Sequence, residues 1–233
     1  MDTIVQSVKP RYGDVMKNSS AELSRDYDTW PPAQNKRQAI LNAAADVFAQ
    51  EGFGGASIDA IAARAGVSRQ TIYNQLGDKD NLFKVVVAEI TDRSSAGFFR
   101  VLDTFPVAPQ DIETELTQFS AQLLRKAICD PNGRWLRKVV ETEGARFPEL
   151  FETWKEYGPG KKYPAIAARL AQLAHSGYLQ IDDPALAARQ YMALLATDLR
   201  YDQQIGRQTP ESEIDQMAAN ATRTFLRAFA PRR

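Results

Sequence analysis

Between Ser68 and Asn74 the sequence places polar side chains on both sides of a single apolar one: Ser68, Arg69, Gln70 and Thr71 precede Ile72, and Tyr73 and Asn74 follow it. These residue types can read base edges, since Arg suits guanine, Gln and Asn suit adenine, and the Thr methyl can meet that of thymine. Arg69, Gln70, Thr71 and Asn74 are the candidates for that contact, and their types leave open which would meet which base. Catalytic chemistry has far less to work with. The chain has one His, His175, and one Cys, Cys129, so it offers no cluster with metal-ligand spacing and no internal disulfide. No P-loop or nucleophile elbow occurs, and Gly52-Phe53-Gly54-Gly55 reads as a helix stop and turn rather than a dinucleotide loop. An enzyme built on a helical aromatic body is the weaker reading, and neither cofactor nor metal is expected.

A row of donors of this kind needs a short helix with an apolar inward face. From Asn35, Ile40, Ala44, Val47 and Phe48 recur at helical spacing, and Gly52 is placed to end that helix in a left-handed cap. Ser57 then caps a short segment whose Ile58, Ile61, Ala62 and Ala65 share a face, and Gly66 breaks it. Ser68 caps the next helix, which turns Ile72 and Leu76 inward at i and i+4 and leaves its polar residues outward until Gly77. Asp78 caps a longer helix running from Lys79 toward Phe105, closed by Pro106 and Pro109. Beyond it, the pattern predicts a helix from Asp111 to the turn Asp130-Pro131-Asn132-Gly133, then helices over 134–144, from Pro148 to Gly158 and up to Gly177. One more starts at Asp182 or Asp183 with Pro184 and runs to Ile205, and a last one starts at Thr209-Pro210 and stops before Pro231. No strand and no internal repeat emerge, so the chain reads as all-α: a small helical head joined by one long helix to a larger helical body.

The stretch from Ser57 to Phe83, SIDAIAARAGVSRQTIYNQLGDKDNLF, combines two short helices, a turn containing Gly66 and an outward polar face on the second helix. That is what a helix-turn-helix needs to enter a major groove about 12 Å wide. Its residues Ser57, Ile58, Ile61, Ala62, Ala65-Gly66-Val67-Ser68, Thr71, Ile72, Tyr73, Leu76, Lys79 and Leu82 resemble the head of the TetR family of bacterial transcriptional regulators, and 39–57 extend the likeness over the whole head. Leu76 stands where that family usually has an aromatic, and Asn74-Gln75 stand where His or Tyr are frequent, so the operator sequence is harder to infer. The resemblance implies that Ser57, Ser68, Tyr73 and Lys79 meet backbone phosphates while Arg69, Gln70, Thr71 and Asn74 face bases. It also implies a TetR-like architecture, a three-helix head and a helical body for ligand binding and dimerisation.

In the body, residues 139–154, VVETEGARFPELFETW, resemble the C-terminal domain of the AefR-like branch of the family, in which Glu-x-x-Arg-Phe-Pro-Glu-Leu joins two helices. Aromatics crowd this region: Phe98, Phe99, Phe119, Trp135, Phe147, Phe151, Trp154, Tyr157 and Tyr163. An apolar effector pocket among them would draw on Phe98, Phe119, Trp135, Phe151 and Trp154, with Arg146, His175 or Tyr191 orienting the ligand. Plain core packing is the competing reading for each aromatic, and a helix-end contact is the competing one for His175. Cys129, near a helix end with Arg125 and Lys126 one turn back, reads as structural rather than redox-sensing. Ala185, Leu186, Ala188, Tyr191, Met192, Leu195 and Leu199, followed by Ile214, Met217, Ala218, Ala221, Phe225 and Leu226, are apolar or small. Two such helices from each of two subunits would form a four-helix homodimer interface, which a palindromic double-stranded DNA operator also favours.

The chain has 233 residues, 44% of them apolar, ample for a packed core, with 29 basic and 29 acidic side chains. Neutral charge gives no global pull toward nucleic acid, and residues 34–87 carry six basic against five acidic groups, so DNA binding must be local. Nothing approaches the roughly 18 apolar residues of a membrane span, and the N-terminus lacks an apolar signal core, so a cytoplasmic protein with no membrane partner is expected. The expected organisation is a flexible arm over 1–33, a DNA-binding domain over 34–83 and an effector-binding and dimerisation domain over 84–233. The expected function is transcriptional repression relieved by an apolar or amphipathic effector that the sequence does not identify. The alternative is a helix-turn-helix activator or co-regulator without a small-molecule effector.

Overall fold

A computed structural model of the chain describes residues 35–205 and 207–231, apart from the side chains of Ala127, Thr153 and Tyr157. The expected arm over 1–33 lies outside the described residues. Every regular element among the described residues is helical, and they divide into two compact units at Gln75/Leu76.

The first unit holds α1 (Lys36–Gly55), α2 (Ile58–Ala65) and all but the last residue of α3 (Arg69–Leu76). Each start is capped by a side chain, and at Ser57 and Ser68 it is the one that the sequence pattern selects. Asn35 Oδ1 accepts from the Gln38 N–H at 2.9 Å, Ser57 Oγ from the Ala60 N–H at 3.1 Å and Ser68 Oγ from the Thr71 N–H at 3.1 Å. Gly52, expected to end α1, instead bends it at φ +68°. Helical turns resume as far as Gly55, and Phe53 folds back to stack on Phe48 with ring centroids 6.1 Å apart. Gly66 occupies the left-handed region at φ +65°, where a Cβ would be strained, and the Val67 N–H reaches back to the Ala62 carbonyl at 3.1 Å. The turn between the two short helices is fixed in this way.

The second unit runs through α4 (Lys79–Leu102), α5 (Ile112–Leu123), α6 (Pro131–Glu143), α7 (Pro148–Tyr157), α8 (Pro159–His175), α9 (Pro184–Gln204) and α10 (Glu211–Phe229). Asp78 caps α4, and Asp183, rather than Asp182, caps α9 through the Leu186 N–H at 3.0 Å. Two local expectations need correcting. The helix expected to run from Asp111 to the turn at Asp130 passes at Leu124–Ile128 into a π-helical turn, in which the Cys129 N–H reaches the Leu124 carbonyl at 2.9 Å. A regular α-helix would rotate position 128 away from the face carrying Leu116, Phe119 and Leu123; the wider turn brings Ile128 back into the core. Asp130-Pro131-Asn132-Gly133, expected as the end of that helix, also begins the next one. Asp130 Oδ2 accepts from the Gly133 N–H at 2.9 Å, and Pro131 takes the first helical position, where it has no N–H to satisfy.

Residues of α4, α5, α8, α9 and α10 share one apolar core that includes Phe98, Phe119, Leu170, Tyr191 and Phe225. At its centre stands a polar hub. Ser120 Oγ donates to the Leu116 carbonyl at 2.7 Å and lies 2.7 Å from Tyr191 Oη and 2.8 Å from Thr222 Oγ1. With its single proton spent on Leu116, Ser120 accepts from both other hydroxyls, and all three are satisfied. Burial pushes the Tyr191 phenol well above its ordinary range, so it stays a donor. At the α9–α10 connection, buried Asp202 accepts from Arg207 at 2.6 Å and from Thr209 Oγ1 at 2.9 Å. Thr209, expected to start α10, is thus turned back onto α9.

The hub orders two substitutions by cost. Ser120→Ala strips the acceptor from two buried hydroxyls and is expected to cost about 2–5 kcal/mol, whereas Tyr191→Phe, which leaves Ser120 and Thr222 paired, costs about 1 kcal/mol. Urea unfolding of the two variants checks the order.

Candidate nucleic-acid interface

α3 is two turns long and sided. Ile72 is fully buried and Leu76 nearly so, while Arg69, Gln70, Tyr73 and Asn74 are exposed and Thr71 is half-buried. Tyr73 keeps 49% of its surface accessible. The sequence-selected residues Ser57, Ser68, Arg69, Gln70, Thr71, Tyr73 and Asn74 therefore share α3 and the caps of α2 and α3. Lys79, half-buried, is the first residue of α4 in the second unit.

The polar side chains of α3 are held by one another and by α2. Gln70 Nε2 donates to Asn74 Oδ1 at 2.8 Å across one turn, and Ser68 Oγ lies 2.9 Å from Thr71 Oγ1. Arg69 Nε sits 3.1 Å from Asp59 Oδ1 on α2, with both side chains about two-thirds exposed. The sequence pattern does not single out Asp59. Ten residues and a turn separate it from Arg69, so no helical periodicity links them. The pair orients the guanidinium, yet in water it is weak enough to yield to a stronger acceptor. A second cross-helix pair, Arg64–Asp46 at 2.9 Å, engages another of the few basic groups of the head. Positive charge on this unit is thus partly neutralised, and any attraction to DNA rests on hydrogen-bonding geometry more than on net field.

The residues proposed for an effector pocket lie apart in the second unit. Phe98, Phe119 and Tyr191 belong to the shared core, with Phe119 edge-on to Phe105 at 4.9 Å and Tyr191 edge-on to Phe225 at 5.0 Å. Trp135 is buried against Phe83, 6.4 Å away. Phe151 and Trp154 pair on α7 at 5.9 Å. Arg146 is exposed, its guanidinium 5.4 Å from the Phe147 ring. Phe147 itself is buried 5.4 Å from Phe83, and Glu149 pairs with Lys84 at 2.6 Å, which fastens the α6–α7 corner to α4. His175 ends α8, exposed at a shallow depression it shares with Val107, Ala171 and Gln172. Burial pushes the Cys129 thiol up, against a redox role. Among the described residues no group of His, Cys, Asp and Glu could hold a metal, and no helix is long and apolar enough to cross a membrane.

Residues 40–86 match the family described as bacterial regulatory proteins, tetR family, and residues 114–231 match the AefR-like transcriptional repressor, C-terminal domain. The chain is 32% identical over 145 residues to the HTH-type transcriptional repressor Rv3405c of Mycobacterium tuberculosis, covering 61% of this chain and 68% of that one. A TetR-family transcriptional regulator from Mesorhizobium loti shares the fold with a TM-score of 0.74 at 24% identity, covering 91% of this chain and 98% of its own. The flavonoid-responsive regulator FrrA superposes with a TM-score of 0.65 at 27% identity, over 86% of this chain and 100% of its own.

Because α3 is short, its cap matters more than its surface pairs. Ser68→Ala is expected to lower stability by about 1 kcal/mol, whereas Asp59→Ala, which breaks an exposed pair, leaves the denaturation midpoint unchanged. Chemical denaturation followed by circular dichroism measures both.

Proposed function

The chain belongs to the TetR family and is a DNA-binding transcriptional regulator rather than an enzyme, and from that premise we propose that it is a repressor released from its operator by a small effector bound in the body. The observation that carries the DNA-binding assignment is the exposed polar face of α3 above buried Ile72. In this reading residues 34–83 bind DNA, and residues 84–233 bind the effector and dimerise. Ser57, Ser68, Tyr73 and Lys79 meet phosphates and set the register of the head, while Arg69, Gln70, Thr71 and Asn74 read bases. Arg69 exchanges Asp59 for a guanine edge, a replacement of one exposed partner by a bidentate one.

TetR regulators bind DNA as dimers, and the surface of α9 supports the same arrangement here. Leu186, Leu194, Tyr201 and Ile205 are all exposed, and their spacing places them on one side of the helix. A groove lined by Leu194, Asp198, Met217 and Asn220 continues this surface onto α10. A second copy would bury that stripe and set two heads on the halves of a palindrome, doubling the base pairs read. Two lines support repression with an effector. The matched C-terminal family is described as that of a repressor, and FrrA is named as flavonoid-responsive. Release is then a population shift toward a body conformation with heads wrongly spaced for the operator.

DNA from the gene's own upstream region, titrated with the purified protein over a range of salt, tests the assignment. Lys79→Ala is expected to weaken binding to all sequences alike and to reduce the salt slope by about 1, whereas Gln70→Ala or Asn74→Ala costs about 1–3 kcal/mol on the operator and relaxes specificity. Unchanged affinity in Tyr73→Phe and Lys79→Ala, with the fold intact, removes the phosphate assignments.

The dimer has its own test. Leu194→Glu, at a position 44% exposed in the single chain, is expected to give monomers in sedimentation equilibrium and at least a tenfold loss of operator affinity.

A further inference from the structure

Within the second unit, three polar groups, one from α4 and two from α6 and its cap, surround the backbone of Gly133 on α6. A Cβ built there would stand 3.4 Å from Ser94 Oγ of α4, 3.5 Å from Asp130 Oδ2 and 3.6 Å from Arg137 Nη1. Lys162 of α8 joins the group, its Nζ 3.5 Å from Ser94 Oγ and 5.5 Å from the centre of the Phe98 ring. Arg137 donates through Nη2 to the Ile128 carbonyl at 3.2 Å and to Gln203 Oε1 at 2.8 Å. Lys162 and Arg137 are both half-buried, Ser94 is buried, and the partners these two cations find are neutral. Two carboxylates, Asp130 and Glu141, lie near Arg137 without bonding to it, and Asp130 is occupied in capping α6, with the Gly133 N–H at 2.9 Å and Asn132 Nδ2 at 3.3 Å.

Two half-buried cations whose hydrogen-bond partners are hydroxyl, carbonyl and amide oxygens are a costly arrangement for the interior to keep. Burial pushes the Lys162 ammonium down, and Arg137 adds to that while Asp130 opposes it. Burial, with Arg200 and Arg134 nearby, lowers Arg137 to about 10 against the opposing pull of Asp130 and Glu141. A bound anion would convert these long neutral contacts into short charge-assisted ones and relieve the repulsion between the cations. Phe98 supplies the apolar side of the site, since its ring lies beneath the ammonium and continues into the core shared by α5 and α8.

We propose that Lys162 and Arg137, with Ser94, form the headgroup subsite of the effector site, and that the effector is an anionic amphiphile: a carboxylate on an apolar body that lies against Phe98. The inference rests on the reading of the body as effector-binding and adds the charge of the ligand. Selectivity follows from the same geometry, because an uncharged molecule of equal length meets the apolar side and leaves both cations as they were.

The test uses the full chain with octanoate and 1-octanol as probes of equal length and different charge. Octanoate is expected to raise the melting temperature by several degrees at millimolar concentration, and 1-octanol is not. Lys162→Met, which keeps the aliphatic stem and removes the charge, is expected to weaken octanoate binding at least tenfold by calorimetry without lowering the melting temperature of the ligand-free protein. Lys162→Gln and Arg137→Met serve as second variants. Equal stabilisation by the two probes, no stabilisation by octanoate, or octanoate affinity unchanged in all three variants overturns the proposal. So does a lower melting temperature for ligand-free Lys162→Met, which would make the ammonium structural. Operator binding, measured separately, distinguishes this inference from the effector reading. Octanoate binding that leaves DNA affinity unchanged supports the subsite and removes the effector role, whereas DNA release by uncharged amphiphiles alone overturns the subsite and keeps that role.

Discussion

A helix of two turns does not persist in water by itself, because the cost of nucleating it exceeds what eight residues return. α3, the element whose outward face carries the polar row, has that length, so its existence depends on what holds it. Ile72 supplies a fully buried anchor, Ser68 satisfies the N–H of Thr71, and Gly66 turns the chain between α2 and α3. The first unit is largely the apparatus for this one task. α1 and α2 are the other helices of that unit, and their own starts are capped in the same manner by Asn35 and Ser57. Once Ile72 and Leu76 are turned inward, the geometry of a helix leaves Arg69, Gln70, Tyr73 and Asn74 no direction but outward.

The second unit solves a different problem, the registration of long helices against one another. Apolar packing is non-directional and tolerates sliding; a buried hydrogen bond does not. The hydroxyl hub at Ser120 therefore specifies where α9 and α10 meet α5, and the clamp of Arg207 and Thr209 on Asp202 fixes the turn between α9 and α10. The π-helical turn at Leu124–Ile128 serves the same end by rephasing α5 so that its continuation still faces the core. With registry set from inside, the outer side of α9 is left to carry the exposed apolar residues Leu186, Leu194 and Tyr201.

Charge follows the same division between inside and outside. The 29 basic and 29 acidic groups balance, and on the head Arg64 and Arg69 are paired with Asp46 and Asp59 in exposed contacts of small net value. Inside the second unit the balance is broken locally, where Lys162 and Arg137 face neutral oxygens. Exposed pairs are screened by water and contribute little, whereas half-buried cations with neutral hydrogen-bond partners are costly to keep, so the interior carries the larger electrostatic cost.

Residue order alone determined the helical class, the succession of helices and almost every cap, since these follow from contacts between residues two to four positions apart. Ser57, Ser68, Asp78 and Asp111 each hold the N–H groups that their positions announce. The sidedness of α3 was legible for the same reason. Tertiary structure decided what joins distant positions: Asp59 to Arg69 across a turn, Ser120 to Tyr191 and Thr222 over 71 and 102 residues, and Lys162 to Ser94 over 68. It also assigned neighbours to the aromatics, for which composition left pocket and core packing both open: Phe98 and Phe119 lie in the shared core, Trp135 against Phe83, and Phe151 beside Trp154 on α7. The reason is that periodicity records which face of a helix is apolar but not which neighbour covers it. Partner identity is set only when the helices pack and each buried polar group must find its complement.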